Sequence, residues 1–220
     1  DGAIQITGSH NPPDYNGFKM VLSHHSFFGD DITELGVRAV AGLTKVSGGC
    51  YEEQSVFDGY IERLTKQADF GDLSIVWDAG NGAAGPATEA MLATLSRQAK
   101  LSGNHKTLYC DINGHFPNHH PNPVDPETLE SLRHHVKTLN ADLGIGFDGD
   151  GDRIGIVDAK GRQIAGDILT AFLAIDILTR TPSADILFDV KSSALALQIV
   201  RDAGGRPHLW KTGHSHMKKR

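Results

Sequence analysis

Three aspartates alternate with glycines in the segment 147–153, which reads Phe-Asp-Gly-Asp-Gly-Asp-Arg. Acidic side chains in an apolar context are rarely buried unless they are paired or bind a metal ion. Because Asp148, Asp150 and Asp152 lie two residues apart, an extended segment points all three to one side, and the glycines permit a bend around one ion. Carboxylate oxygens are the ligands that Mg²⁺ and Ca²⁺ prefer. The spacing predicts a divalent metal site, with Arg153 beside it to hold a phosphate.

Two other interpretations compete with this metal site. Apolar, strand-like runs lie on both sides, at 141–146 and 154–157, so the aspartates could instead form the solvated tip of a hairpin. An EF-hand loop also carries aspartates at positions 1, 3 and 5, but Arg153 replaces its required glycine and Ala159 its required glutamate. The EF-hand is therefore excluded, and the bare hairpin tip stays open as an alternative.

A second group of reactive residues lies at 7–13, in Thr-Gly-Ser-His-Asn-Pro-Pro. Ser9 follows an apolar strand, Gly8 permits an unusual backbone conformation, and the prolines stiffen the exit. His10 and Lys19 are near in sequence, and either side chain can move a proton. Alone, the segment is explained by an ordinary turn, and it lacks the G-x-S-x-G pattern of serine hydrolases. Together with the aspartates and the arginine, it indicates metal-assisted phosphoryl transfer.

Composition excludes several classes of protein. The 220 residues are 39% apolar and 22% charged, which is typical of a globular chain. The net charge of −6 disfavours nucleic acid as a partner, and no apolar run reaches the ~20 residues that span a membrane. The two cysteines are far apart, which fits a reducing cytoplasm. Histidine pairs such as His119-His120 lack ligand spacing, and we predict that most of these histidines lie on the surface.

The alternation of strand-like and helix-like segments predicts α/β domains with a largely parallel sheet. We predict three pieces: 1–55 with the serine loop, 56–160 with the aspartate loop, and 161–220, where the alternation restarts. The predicted strands are 3–6, 18–22, 73–77, 107–111, 142–147, 154–157, 184–190 and 207–210. The predicted helices are 56–66, 126–139, 166–180, 193–203 and one that starts at 33. The glycine-rich turn 80–85 matches no nucleotide-binding pattern, so it predicts tight packing of a helix on a strand.

In combination, these motifs resemble the α-D-phosphohexomutase family. Residues 7–12 are similar to its phosphoserine loop and residues 148–153 to its magnesium loop. The runs 12–19, 114–121 and 210–215 are most similar to the bacterial phosphomannomutase/phosphoglucomutase branch. The resemblance implies tandem mixed-sheet α/β domains of the phosphohexomutase type. The first and third domains are expected to be incomplete, because the chain starts abruptly and lacks the family's Gly-Glu-x-Ser-Gly-His sugar loop. We therefore expect a fragment of a longer protein.

The resemblance also implies roles for individual side chains. It places Mg²⁺ on three carboxylates and one oxygen of a phosphorylated serine, namely Asp148, Asp150, Asp152 and Ser9. It assigns catalytic roles to four side chains: Ser9, His10, Lys19 and Arg153. It assigns substrate contacts to four further residues: Asn11, Lys191, Gly213 and His214.

The reaction that the resemblance implies is the Mg²⁺-dependent interconversion of hexose 1-phosphate and hexose 6-phosphate, for mannose, glucose or both. It would pass through a phosphoserine and a bisphosphorylated sugar. The fragment alone is expected to be inactive, because the walls that hold substrate and exclude water are missing. The alternative is a non-catalytic module that binds a divalent metal or a sugar phosphate and never phosphorylates Ser9. The sequence assigns no oligomeric state.

Overall fold

The computed structural model of the chain describes residues 2–218 and 220. The first unit is a small antiparallel sheet, in the order β1-β2-β3, followed by one helix. Its elements are β1 Gly2–Ile6, β2 Phe18–Leu22, β3 His25–Phe27 and α1 Asp30–Ala41. Because Ile6 pairs with Phe18, the serine loop is the connection between β1 and β2. The Thr7 N–H closes this loop by donating to the Gly17 carbonyl at 3.0 Å.

The second unit contains a five-stranded sheet in the order β5-β4-β6-β7-β8. Its elements are α2 Phe57–Thr65, β4 Ile75–Asp78, α3 Ala84–Arg97, β5 His105–Leu108, α4 Glu130–Thr138, β6 Leu143–Phe147, β7 Ile154–Asp158 and β8 Gln163–Ile164. All four residues of β4 are buried, as expected for a central strand covered on both faces. The sheet extends past residue 160, since β8 pairs with β7.

The prediction of a largely parallel sheet is right for β5, β4 and β6 and wrong for the rest. Strands β6, β7 and β8 pair antiparallel. The reason is the length of the aspartate loop: a parallel return needs a crossover of a dozen or more residues, whereas residues 148–153 allow only a hairpin. The metal loop predicted from the sequence is therefore also a hairpin connection, so the two interpretations of its backbone coincide.

Several predicted elements of this unit differ in their bounds, and two of these differences have a clear local cause. The strand predicted at 107–111 is β5, His105–Leu108, and it ends where Tyr109 adopts a positive φ of 54° and turns the chain. The single helix predicted at 126–139 is a 3₁₀ turn, Pro126–Leu129, followed by α4. Proline at the first position fits the start of the turn, whose N-terminal N–H groups need no intrahelical acceptor.

The third unit is a two-stranded parallel sheet with helices. Its elements are α5 Gly166–Arg180, β9 Asp185–Asp189, α6 Ala194–Asp202, β10 Arg206–Trp210 and α7 His214–Lys218. The second and third units each bury a separate apolar cluster, the former around Val76 and Leu132 and the latter around Phe188 and Val200. Within the described part of the chain, no helix has the length and apolar character needed to cross a membrane.

Candidate functional site

The serine loop and the aspartate loop meet between the first and second units. The Ser9 hydroxyl donates to Asp148 Oδ2 at 3.3 Å and accepts from Arg153 Nη2 at 3.0 Å. Its oxygen also lies 3.1 Å from His10 Nδ1. Residues more than a hundred positions apart in sequence thus surround one hydroxyl group.

Ser9 has a positive φ of 53°, in the left-handed region that residues other than glycine rarely adopt. Hydrogen bonds on both sides hold this conformation. The Ser9 N–H donates to Thr7 Oγ1 at 2.9 Å, and the Asn11 N–H donates to the Gly8 carbonyl at 3.0 Å. Such backbone strain persists where the surroundings over-determine it, often at functional sites. The strained turn directs the hydroxyl at the aspartate loop.

Glycine at two positions lets three backbone segments stack beside the serine. A Cβ at Gly149 would lie 2.2 Å from the Ser9 carbonyl oxygen, and one at Gly82 would lie 2.7 Å from the Gly149 carbonyl oxygen. The Ala83 N–H donates to that same Gly149 carbonyl at 2.9 Å. The glycine-rich turn therefore packs against the backbone of the aspartate loop at Gly149. The predicted packing of this turn is confirmed at Gly85, whose added Cβ would lie 2.0 Å from the Cys110 carbonyl oxygen, but its support of the aspartate loop was missed.

The three aspartates differ in their environment. Asp148 is fully buried, and it accepts the Arg153 backbone N–H and Nε, each at 2.9 Å. Burial raises the pKa of Asp148. Burial alone would also raise the pKa of Asp150, but hydrogen bonds from Lys19 and Thr7, at 3.1 Å and 2.9 Å, lower that pKa to about 2. Asp150 therefore carries a negative charge over the whole physiological pH range.

These carboxylates can hold a metal ion. One oxygen from each of Asp148, Asp150 and Asp152 lies within 4.8 Å of the others, which marks them as a potential metal site among the described residues. Asp150 Oδ1 is buried and has no hydrogen-bond partner in the described part of the chain. A buried oxygen without a partner is costly, and a bound cation would remove that cost. The donor set is oxygen only, which suits a hard divalent cation.

The remaining side chains of the site have complementary charge states. Burial, followed by the nearby Arg153 guanidinium, lowers the pKa of His10, so its ring is mainly neutral near pH 7. A hydrogen bond to Asp152, at 2.7 Å, raises the pKa of Lys19, which stays protonated. A neutral imidazole can accept a proton from the serine hydroxyl, whereas the lysine and the arginine supply fixed positive charge.

The predicted substrate residues fall in two places. Asn11 lies on the serine loop and is exposed. The other three, Lys191, Gly213 and His214, follow the carboxyl ends of the parallel strands β9 and β10 in the third unit. Asp189 links their two loops, because its Oδ1 accepts the Lys191 N–H and the hydroxyl of Thr212. Within the described residues, no hydrogen bond joins these three residues to the serine or aspartate loop.

Thr7 is a site residue that sequence reasoning did not single out. Its hydroxyl donates to Asp150 Oδ2 and accepts the Ser9 N–H, each at 2.9 Å, so it links the two loops directly. The available signal was its position two residues before Ser9, where a hydroxyl can hydrogen-bond the backbone of a turn.

Known proteins are similar to this chain in both sequence and fold. Residues 58–161 match the family profile "Phosphoglucomutase/phosphomannomutase, alpha/beta/alpha domain II", and residues 1–41 match domain I of the same family. A phosphomannomutase/phosphoglucomutase of Pseudomonas aeruginosa is 39% identical over 218 residues, which cover 99% of this chain and 46% of that protein. A phosphoglucomutase of Neisseria meningitidis is 39% identical over 219 residues, which cover 98% of this chain and 46% of that protein.

A crystal structure of a phosphoglucomutase/phosphomannomutase family protein from Burkholderia thailandensis matches with a TM-score of 0.91 at 42% identity, covering 100% of this chain and 47% of that one. The tandem mixed α/β units thus have the fold of the phosphohexomutases. The chain belongs to the phosphoglucomutase/phosphomannomutase family. It spans about half the length of the relatives that it matches.

Proposed function

We propose that this chain is the part of a hexose-phosphate mutase that carries the phosphoryl-transfer site. The mutase interconverts the 1-phosphate and the 6-phosphate of mannose, glucose or both. The observation that carries the proposal is the position of the Ser9 hydroxyl, 3.0 Å from Arg153 Nη2 and 3.3 Å from a carboxylate of the acidic cluster. The names and the length of its relatives support a mutase whose remaining walls lie outside this chain.

The metal that we propose is Mg²⁺, held by Asp148, Asp150, Asp152 and an oxygen of phosphorylated Ser9. Three carboxylates of this cluster and the unpartnered Asp150 Oδ1 support that assignment. When bound, the ion would neutralise negative charge on the transferring phosphoryl group.

The protein side chains then divide the work. Ser9 Oγ carries the phosphoryl group; its O–P bond breaks as a bond to a sugar hydroxyl oxygen forms, and the hydroxyl loses its proton. The bisphosphorylated sugar reorients in the cleft, and its other phosphate is transferred to Ser9. Arg153 holds charge on the transferring group, His10 takes or returns the proton at Nδ1, and Lys19 keeps the acidic cluster neutralised.

Substrate contacts and domain division are part of the same proposal. Four residues contact the sugar phosphate: Asn11, Lys191, Gly213 and His214. The proposed division is the C-terminal part of a first domain (1–55), a second domain (56–160) and the N-terminal part of a third (161–220), although the sheet of the second unit continues into residues 163–164. The 220-residue chain alone is inactive as a mutase, since half of the relatives' length is not in it. A turnover close to that of a full-length relative would contradict this.

The test is phosphate transfer onto Ser9. The chain is incubated with Mg²⁺ and glucose 1,6-bisphosphate, and intact-mass and peptide analysis locate any phosphate. We expect one phosphate on Ser9 and none in Ser9→Ala. The control is Ser23→Ala, because Ser23 also has a positive φ but lies in another turn, between β2 and β3. Mg²⁺ binding without any phosphate on Ser9 would favour the alternative, a non-catalytic metal or sugar-phosphate binding module.

A further inference from the structure

The pair formed by half-buried His119 and buried Asp78 has no part in the proposed transfer of phosphate. Asp78 ends β4 and is 1% exposed, and His119 Nε2 lies 3.0 Å from each of its carboxylate oxygens. The other ring nitrogen, Nδ1, faces the His120 carbonyl at 3.1 Å. Because both nitrogens face oxygen acceptors, both carry a proton, and the ring is an imidazolium. Most of the paired histidines were expected at the surface; His119 is an exception, with a side chain that is 16% exposed.

This ion pair is part of a set of bonds that ties residues 113–125 to the glycine-rich turn. The Asn113 N–H donates to the Asn81 carbonyl at 2.9 Å, and Asn118 Nδ2 donates to Asn81 Oδ1 at 2.7 Å. Pro121 packs on Gly80, where an added Cβ would lie 3.1 Å from Pro121 Cβ. The turn that supports the aspartate loop on one side thus holds this loop on the other.

The loop formed by residues 113–125 lies against the serine loop at two points. The His120 ring meets the His10 ring edge to face, with centroids 5.2 Å apart and planes at 84°. At the second point, a Cβ added to Gly114 would lie 3.5 Å from Pro13 Cβ, which is ordinary contact. His120 itself is exposed, and its carbonyl is bound within the same loop: it accepts the Asn122 N–H at 2.9 Å and faces His119 Nδ1 at 3.1 Å. Its place beside His10 therefore depends on how the loop is anchored.

We propose that His119 is a positioning residue for the phosphoryl-transfer site: its ion pair with Asp78 holds loop 113–125 on the glycine-rich turn and keeps the His120 ring against His10. Edge-to-face contact with a fixed ring restrains the orientation of His10, whose Nδ1 lies 3.1 Å from Ser9 Oγ. The role of this contact in catalysis depends on the function proposed above, whereas the contact itself does not.

The charge state of His119 agrees with this geometry. Burial has the largest single effect and lowers the pKa of His119, but the hydrogen bond to Asp78, the Asp78 charge and the hydrogen bond to the His120 carbonyl together raise it. The titratable groups that face the ring are Asp78 and Tyr109, whose ring lies 5.5 Å away edge to face, with His120 next in the chain. The ion pair is therefore complete below the ordinary histidine pKa of about 6.5 and is lost as the pH rises through the raised value.

The test is nitrogen NMR of the histidine rings in the 220-residue chain, together with the cross-peak between the rings of His10 and His120. In the wild type at about pH 7.5, we expect both nitrogens of His119 to be protonated and the cross-peak to be present. His119→Leu should lose the cross-peak. The double variant Asp78→Asn/His119→Gln, which keeps an uncharged hydrogen bond, should retain it at every pH. The control is His134→Gln, in the other histidine pair on α4, which should match the wild type.

A neutral His119 ring in the wild type at that pH would overturn the proposal, and this readout needs no variant to fold. A cross-peak that persists in folded His119→Leu would overturn it as well. The rate of phosphate transfer to Ser9 should fall about tenfold in His119→Leu and recover in the double variant, as expected for a small misplacement of a reacting group. If Ser9 is phosphorylated neither in the wild type nor in any variant, and the cross-peak still depends on His119, the proposed function fails but the positioning of His120 by His119 stands.

Discussion

Replacing Asp150 by asparagine keeps the volume of the side chain and removes its charge, the charge that Lys19 and Thr7 stabilise. The pKa of Asp150 falls from 3.8 to about 2 in the folded chain. At ~1.36 kcal/mol per pKa unit, the corresponding stabilisation is at most about 2.4 kcal/mol. Lys19 is 40% exposed, so solvent screens part of this. We therefore expect Asp150→Asn to lower the free energy of unfolding by about 1 kcal/mol at pH 7.

The pH dependence of this difference has a definite sign. Because the folded pKa of Asp150 is depressed, its contribution to stability is complete above the unfolded value of 3.8 and is lost as the pH falls through about 2. The gap between wild type and Asp150→Asn should stay constant from pH 7 to pH 5 and close below pH 4.

Magnesium provides the second arm of the same experiment. At a Mg²⁺ concentration ten times the Kd, the wild type should gain about 1.4 kcal/mol in the free energy of unfolding. Asp150→Asn loses one of three carboxylates, and with it the buried oxygen that has no partner among the described residues. Its free energy of unfolding should therefore barely change when Mg²⁺ is added.

The assay is urea unfolding followed by circular dichroism, with and without Mg²⁺, over this range of pH. The matched control is Asp176→Asn, which removes an exposed aspartate paired with Arg180 on the surface of α5. It should respond to Mg²⁺ as the wild type does. Equal stabilisation of Asp150→Asn and the wild type by Mg²⁺ would refute the assignment of the metal site. A gap that persists at pH 2 would refute the account of the Asp150 charge.

Two further substitutions test the geometry around the cluster. In Gly149→Ala, the new Cβ would lie 2.2 Å from the Ser9 carbonyl oxygen and must move away by about 1.2 Å, so phosphate transfer to Ser9 should fall about 100-fold. In the control Gly166→Ala, nothing lies within 4 Å of the new Cβ, and the rate should match the wild type. Equal rates in the two variants would contradict the stacking of the backbone segments. Lys19→Met removes a cation that competes with metal for two of the aspartates, so calorimetry should give a Mg²⁺ Kd about tenfold lower, and weaker binding would show that Lys19 orders the cluster rather than competing for it.

The residues of the candidate site could be singled out from the sequence because they carry local signals. The aspartates at spacing two, the arginine that follows them and the serine after an apolar strand each carry a signal that needs no knowledge of the fold. The alternation of elements likewise predicted the α/β class and most strands, including β2, Phe18–Leu22, and the helix α5, Gly166–Arg180. The family to which the chain belongs agrees with the resemblance of the two loops.

The missed features all depend on segments that meet only in the folded chain. Gly82 must be glycine because the carbonyl of Gly149 approaches it, and nothing in the local pattern around residue 82 indicates that approach. Thr7 reaches Asp150 across 143 positions. His119 has no ligand spacing to mark it, and its partner Asp78 lies 41 positions away in sequence. Local patterns thus predicted the reacting groups but not the contacts that align them.

The contact between the serine loop and the aspartate loop joins the first unit to the second more firmly than either is joined to the third. Rotating the first unit away from the second would break the bonds from Thr7, Ser9 and Lys19 to the aspartates all at once. By contrast, no hydrogen bond or ion pair of the described side chains joins the third unit to the first two, and the rings of Phe28 and His216 meet there edge to face. A swing of the third unit about the connection between β8 and α5 would disturb the Phe28–His216 ring contact but break no hydrogen bond or ion pair of the described side chains, so we expect relative motion there, with the first two units moving together.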